Sequence, residues 1–179
     1  MFGKHKRSKF SLTRGGWTLA RYLATKSPAP MPPEVRAGDD ILQITKLAIA
    51  TEPRVVCVVD DDGRYLGAIT NSRLTRDVIA YLDPDLYSGA RVPAGLLQFK
   101  HDTSKFQALS LIEPKLRPLR GRQTMADAIE KLYQTESDEL PVINDDGQLL
   151  GIIRSLDILR EWAEDLLLTQ FGDETGSFY

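Results

Sequence analysis

The stretch Asn144–Leu159, NDDGQLLGIIRSLDIL, decides the fold because it reads as a turn, a strand and the start of a helix. Its Asp-Gly pair predicts a tight hairpin, since glycine accepts the positive φ that such a turn requires. The apolar run LLGII predicts a buried strand, and Ser155 is a good N-cap for the helix that follows. Two charged residues, Arg154 and Asp157, stand at this strand-to-helix junction.

The same pattern occurs earlier in the chain. Residues 55–77, VVCVVDDDGRYLGAITNSRLTRD, align with residues 139–161, ELPVINDDGQLLGIIRSLDILRE, at a constant offset of 84 positions. The register holds without a gap from position 40 to position 77, and ten of these 38 positions are identical to their partners. A shared DDG-x-x-LG-x-I in one register indicates an internal duplication.

Each copy begins with a predicted helix. Asp40 and Thr124 precede apolar residues at helical spacing, and Gln43 and Asp127 follow three positions later. This arrangement resembles a capping box, imperfectly in the second copy. The inward residues of the two helices are predicted by their period. They are Ile41, Ile44 and Ala48 in the first copy and Met125, Ala128, Ile129 and Leu132 in the second.

Two strands and a last helix follow in each copy. The runs VVCVV and LPVI, and then YLGAIT and LLGIIR, predict the strands, and Asn71 and Ser155 are the expected N-caps of the helices after them. A short leading strand is expected near Glu34–Arg36 and near Leu116–Leu119. The inner face of the last helix is predicted to comprise Leu156, Leu159, Ala163, Leu166 and Leu167.

Length and composition limit the architectures that are possible. A unit of about 60 residues makes a marginal core alone, so two β-α-β-β-α units are expected to pack sheet to sheet as one pseudo-twofold α/β (α+β) module. The net charge is −2, and the single Cys57 fits a reducing compartment. No apolar run approaches the roughly 20 residues of a membrane span, and the N-terminus lacks a signal-peptide core. A cytoplasmic protein without membrane insertion is expected.

The domain boundaries are predicted as follows. Residues 1–16 form a basic flexible tail, 17–82 the first repeat with a leading helix and a proline-rich connector, 83–104 the connector between the repeats, 105–170 the second repeat and 171–179 a C-terminal tail. The leading helices are expected at Trp17–Ala24 and Ser104–Ile112.

The two copies resemble a known family, the tandem cystathionine-β-synthase (CBS) domain pair, or Bateman module. The resemblance lies in the pattern D-G-x-h-x-G-h-h-[ST]-x-x-D, where h is apolar, which reads DDGRYLGAITNSR and DDGQLLGIIRSLD here. It covers about residues 33–82 and 115–167. It implies a pseudo-symmetric, non-catalytic regulatory module whose clefts often bind adenine nucleotides, and which commonly dimerises.

The resemblance also implies site residues. In binding members the hydroxyl of the motif contacts phosphate and the aspartate holds the ribose. The corresponding positions are Thr70 with Arg73 and Arg154 with Asp157, so each copy lacks one member of the pair. The predicted nucleotide-binding set is completed by residues around the second junction: Ser155, Ile153, Leu140 and Pro141.

A helix N-terminus favours anions, and an arginine placed there gains little unless an anion neutralises it. Arginine makes bidentate contacts with phosphate. The hypothesis is therefore that Arg154 and Asp157 hold the phosphate and ribose of AMP, ADP or ATP. The alternative is that Asp157 is a first-turn acid favoured by the helix dipole and paired with Arg154 across a closed cleft.

Other signals leave further alternatives open. The DDDG turn lacks the spacing of a calcium loop, so no metal is expected. No nucleophile has a neighbouring base, so an enzyme is not expected. The basic N-terminal tail, with Phe10 and Trp17 interleaved, could contact nucleic acid or an acidic partner, or be a disordered solubilising segment. The expected partners are a second copy of the chain and an unknown regulated protein; the alternative function is a nucleotide-free dimerisation and interaction module.

Overall fold

The computed structural model describes residues 16–26, 28–51, 54–82 and 106–172. The predicted basic tail up to residue 15, the connector 83–104 and the C-terminal residues 173–179 lie outside the described residues. The elements in chain order are α1 (Leu19–Ala24), β1 (Glu34–Arg36), α2 (Ile41–Thr51), β2 (Val55–Val59), β3 (Tyr65–Thr70), α3 (Asn71–Leu82), α4 (Ala108–Leu111), β4 (Leu119–Arg120), α5 (Met125–Thr135), β5 (Glu139–Ile143), β6 (Leu149–Arg154) and α6 (Ser155–Gly172).

The strands form two three-stranded sheets of the same topology, β1-β2-β3 and β4-β5-β6. In each sheet the first strand is parallel to the second, and the second is antiparallel to the third. The register is the same in both, with Val55 opposite Thr70 and Glu139 opposite Arg154. The predicted pair of β-α-β-β-α units is confirmed.

The capping boxes are complete in both repeats. The Asp40 carboxylate accepts from the Gln43 N–H at 2.9 Å, and the Gln43 side chain accepts from the Asp40 N–H at 3.0 Å. Thr124 and Asp127 make the same reciprocal pair in α5, because aspartate at the third helical position reaches back as glutamate would. The β4 strand starts at Leu119, later than the predicted Leu116.

The strands β2 and β5 are buried on both faces. In β2, Val55 and Cys57 belong to the core cluster that also contains Leu140 and Ile152 of the second sheet. Val56 and Val58 belong to a second core beneath the helices of the first repeat. This alternation follows from the two-residue period of a strand, and it packs the sheets against each other as expected.

The leading helix α1 packs in the core of the second repeat, although it precedes the first. Its buried residues Leu19, Tyr22 and Leu23 share a core cluster with Met125 of α5. The Leu19 N–H also donates to the carbonyl of Gln123 at 2.7 Å. The predicted boundaries grouped this helix with residues 17–82 by chain order, and its core contacts cross that boundary.

The second leading helix, α4, makes the reciprocal crossing. Phe106, Ala108 and Leu111 belong to the core of the first repeat, and the Ala108 N–H donates to the carbonyl of Asp39 at 2.9 Å. The two repeats therefore exchange their leading helices. A repeat without the leader of the other would expose part of its core.

The shared LG-x-I glycines make room for this exchange. A Cβ at Gly67 would overlap the side chain of Ile112, which follows α4. A Cβ at Gly151 would lie 3.1 Å from both the Leu23 side chain and the carbonyl oxygen of Pro30, which belong to the leading segment of the first repeat. These strand glycines are needed because another chain segment lies against the backbone.

The predicted inner face of α6 is wrong for the residues whose side chains the structure describes. Leu156 is 57% exposed, Leu159 is 55% exposed, and Ala163 is also exposed. The side chains at 166 and 167 lie outside the described set. The buried side is formed by Ile158 and Glu161, three residues apart. Ile129 of α5, also predicted inward, is 38% exposed. Periodicity identifies an apolar stripe but not what that stripe faces.

The exchange predicts that a substitution in α1 weakens the second repeat. Leu19→Ala removes a fully buried side chain and should cost about 2–5 kcal/mol of unfolding free energy in urea denaturation. Hydrogen-exchange protection should fall more in α5 and β6 than in α2. The matched control Leu109→Ala, on the exposed side of α4, should change stability by no more than about 0.5 kcal/mol. Greater loss of protection in α2 than in α5 would contradict the exchange.

Candidate functional site

A cavity of about 330 Å³ opens beside the end of β6, at the junction with α6. Its volume is within the range of about 300–1,000 Å³ that is typical of small-molecule pockets. Both repeats contribute to its walls, through the proline-rich connector, the end of α2 and the facing strands β5 and β6. The lining residues are Met31, Pro32, Pro33, Thr51, Glu139, Ile152 and Arg154.

The connector is held against the second sheet by its backbone. The Ile152 N–H donates to the carbonyl of Pro30 at 3.0 Å, so the connector lies beside β6 before it enters β1. Prolines restrict its φ angles, which keeps the wall extended. The connector therefore gives the cavity a stiff, largely apolar side opposite the charged residues of β5 and β6.

Arg154 occupies the N-cap position of α6. Its backbone N–H donates to the Asp157 carboxylate at 3.1 Å, which is the reverse half of a capping box. In the first repeat the Thr70 hydroxyl accepts from the Arg73 N–H at 3.1 Å, which is the forward half. Each repeat thus retains one half of the motif. The caps lie one residue before the predicted Asn71 and Ser155.

The arginine of the first repeat is already engaged. The Arg73 Nε donates to the buried carboxylate of Asp77 at 2.6 Å. The equivalent acid of the second repeat, Glu161, is also buried and pairs with Lys26 after α1 at 3.3 Å. The cation that pairs with Asp77 is thus Arg73, the residue equivalent to Asp157 of the second repeat. Arg73 does not line the cavities at either junction.

Thr70 lines a separate cavity of about 390 Å³ between the repeats. An ion pair between Arg54 and Asp138, which hold equivalent positions in the two repeats, lies in its wall. The Thr70 hydroxyl is already a helix cap, and the arginine here is paired with an acid. This cavity consequently offers a phosphate less uncompensated positive charge than the cavity of Arg154.

The remaining predicted site residues lie around the cavity of Arg154 rather than in its wall. Leu140 and Ile153 are fully buried in the core, and Pro141 is buried as well. The Ser155 hydroxyl donates to the carbonyl of Asp138 at 3.3 Å. Asp157 is half-buried and contacts the site through the Arg154 backbone.

Sequence reasoning missed most of the cavity wall. Met31–Pro33 were assigned only to a connector, and Thr51 only to the helical repeat. Glu139 could have been found, because it is the charged residue at the position that Val55 holds in the first repeat. A charged residue at the start of a buried strand is a visible departure from the pattern of the other copy.

Glu139 is the electrostatically perturbed group of this site. Burial raises its pKa, although Arg154 across the strand pair and Arg54 lower it, and Asp138 raises it further. Among the ion pairs of the described residues there is none that joins Glu139 to Arg154. The two opposite charges therefore both remain available at the cavity wall.

Residues 101–164 match the family model of the CBS domain. Three solved structures share the fold at 18% sequence identity. The CBS domain of a membrane protein from Sphaerobacter thermophilus has a TM-score of 0.56 and covers 83% of this chain and 89% of its own. CBSX2 in complex with AMP has a TM-score of 0.57 and covers 87% and 99%. The cytosolic domain of the Mg²⁺ channel MgtE in complex with ATP has a TM-score of 0.53 and covers 74% of this chain, which spans only 45% of the MgtE domain.

No curated protein matches the sequence. The second repeat matches the model of the CBS domain, and the two repeats together have the fold of a CBS domain pair. The family predicted from the repeated motif is confirmed. Within the described ranges, every helix is too short or too polar to traverse a bilayer, and no cluster of three or more His, Cys, Asp or Glu side chains is arranged to hold a metal.

The divided capping box predicts opposite effects of two swaps on stability. Arg154→Thr should raise the unfolding free energy by about 0.5–2 kcal/mol, because a hydroxyl at the N-cap completes the box with Asp157. The reciprocal Thr70→Arg should lower it by a similar amount. Urea denaturation measures both, and destabilisation by Arg154→Thr would show that Arg154 is needed for folding.

The raised pKa of Glu139 predicts a pH-dependent effect of Glu139→Gln. The folded state disfavours the carboxylate, so the wild type should lose stability relative to the variant as pH rises through the raised pKa. The difference should vanish as pH falls below the ordinary value of 4.5. Unfolding curves across this range test it, and a variant that is less stable at neutral pH would contradict it.

Proposed function

We propose that this chain is a regulatory module that binds one adenine nucleotide, of the AMP, ADP or ATP class, in the cavity of Arg154 and signals through a conformational shift. The observation that carries the proposal is an arginine at a helix N-cap whose guanidinium forms no ion pair among the described residues, in the wall of a cavity built by both repeats. A cation at this position opposes the helix dipole until an anion arrives.

The chemistry of the cavity suits the parts of a nucleotide. Arg154 and the N-terminus of α6 present a guanidinium and helix N–H groups to a phosphate. The Asp157 carboxylate, which lies outside the cavity wall and accepts from the Arg154 N–H, is the proposed partner of the ribose hydroxyls. Ile152 and the segment Met31–Pro33 offer an apolar wall for the base. AMP and ATP are the ligands of two proteins with this fold, CBSX2 and MgtE, which supports an adenine nucleotide.

One ligand per chain is the proposed stoichiometry. The junction of the first repeat has its hydroxyl in a helix cap and its arginine in an ion pair with Asp77, so it has no equivalent of Arg154. The apolar cavity of about 290 Å³ between α2 and α3 has no charged side chain in its wall. Neither offers an uncompensated cation to a phosphate.

Signalling would follow from the shared walls. A ligand in the cavity contacts the connector and the end of α2 on one side and the strands of the second repeat on the other. The arrangement that binds the ligand more tightly becomes more populated, and the shift is limited by the difference in ligand affinity between the two arrangements. The proposed output is a changed surface for a regulated protein, without catalysis or a metal, in the cytoplasm.

We also propose a homodimer. An exposed apolar stripe on the second repeat supports it: Leu156 and Leu159 continue to Trp162, which is 43% exposed, and Tyr133 of α5 is 86% exposed. The stripe equally favours the alternative function, a nucleotide-free interaction module on the same scaffold. Nucleic-acid binding by the basic N-terminal tail stays a prediction, since the tail lies outside the described residues.

The proposed function predicts that Arg154→Ala weakens AMP binding by roughly tenfold or more in isothermal titration calorimetry, since a charge-assisted contact is lost. Adenosine, which lacks the phosphate, should bind both proteins with similar affinity. Arg122→Ala is the matched control, because Arg122 is exposed at the opposite end of the β5–β6 hairpin. Absence of binding by AMP, ADP and ATP to the wild type would overturn the proposal and favour the interaction module.

A further inference from the structure

A carboxylate stands opposite the arginine in the cavity of Arg154. Glu139 and Arg154 are Cα partners in the antiparallel pair of β5 and β6, and both side chains line the same 330 Å³ cavity. Residues opposite each other on neighbouring antiparallel strands bring their Cβ atoms to within about 4.5–5.5 Å. A phosphate bound at Arg154 therefore lies close to Glu139.

We propose that Glu139 is a specificity-determining residue that restricts this cavity to adenosine ligands with a single phosphate and discriminates against di- and triphosphates. This inference rests on the proposed function and names the ligand class within it. The opposed charges of β5 and β6 are its basis. One guanidinium compensates one phosphate, and each added phosphate brings more negative charge near a carboxylate with no further cation beside it.

The charges around Glu139 support this balance. The groups that act on it are Arg154 on β6, Arg54 before β2 and Asp138 before β5. Arg54 and Asp138 form an ion pair with each other, so their charges largely offset. The wall itself carries one cation and one acid that form no ion pair with each other among the described residues, which suits a single phosphate better than a chain of them.

The acid is not required by the fold at this position. The first repeat has Val55 there, buried and in the same register opposite Thr70. Burial of the Glu139 carboxylate raises its pKa, so the folded chain bears an electrostatic cost that valine would avoid. Selection between ligands in the cavity would explain why an acid stands at this position despite its electrostatic cost.

The test compares adenosine, AMP, ADP and ATP in calorimetry without divalent cations, at one slightly alkaline pH and one ionic strength. The wild type should bind AMP more tightly than ADP, and ADP more tightly than ATP. In Glu139→Gln the affinity for ATP should rise by about tenfold or more, the scale of a partly buried charge contact, with a smaller rise for AMP and none for adenosine. Glu139→Val, which installs the residue of the first repeat, should do the same.

Asp146→Asn is the matched control, because it makes the same change in net charge on the exposed hairpin turn far from the cavity. A ratio of ATP to AMP affinity that changes equally in Glu139→Gln and Asp146→Asn would overturn the inference, as would a wild type that prefers ATP. Those results leave AMP binding intact and so leave the proposed function standing. Failure of every adenosine ligand to bind the wild type and both Glu139 variants would instead overturn the proposed function, and the inference with it.

Discussion

The exchange of leading helices is the constraint on which the rest of the structure depends. Helix α1 completes the core of the second repeat, and α4 completes the core of the first. To return from the second repeat to its own sheet, the chain after α1 passes beside β6, where the Ile152 N–H donates to the carbonyl of Pro30. That crossing places the segment Met31–Pro33 beside Arg154. The wall of the candidate site is therefore a direct result of how the core is closed.

The strand-to-helix junction of each repeat departs from the most stable helix start. A hydroxyl at the N-cap and an acid three residues later stabilise a helix start, and this chain divides the two between its repeats. Thr70 keeps the hydroxyl and serves the fold. Arg154 gives up the cap hydroxyl and places a cation at the positive end of a helix, which is unfavourable without an anion. Departures from local stability of this kind are expected at functional sites.

The sequence predicted the architecture well because duplication repeats every local signal. Caps, hairpin glycines and strand register recur 84 positions apart, so the elements predicted in one repeat could be checked against those predicted in the other. What the sequence did not predict were tertiary contacts. No local signal in the leading helices says which repeat they join, and the apolar residues Leu156 and Leu159 could face a core or a partner with the same period. In the wall of the candidate site, sequence reasoning named Arg154 but missed Glu139 and the segment Met31–Pro33. The connector lies beside β6 through a tertiary contact that no local pattern indicates.

The exchange also bears on how such a chain could have arisen. A lone ancestral unit carrying its own leader could not have covered its core with that leader, since the leader reaches across to the other unit. Two separate molecules would have had to trade these helices, as in a domain-swapped dimer. Duplication and fusion then made the trade intramolecular, which removed its dependence on protein concentration. The two halves now differ at their junctions, with a charged junction in one and a capped, self-paired junction in the other.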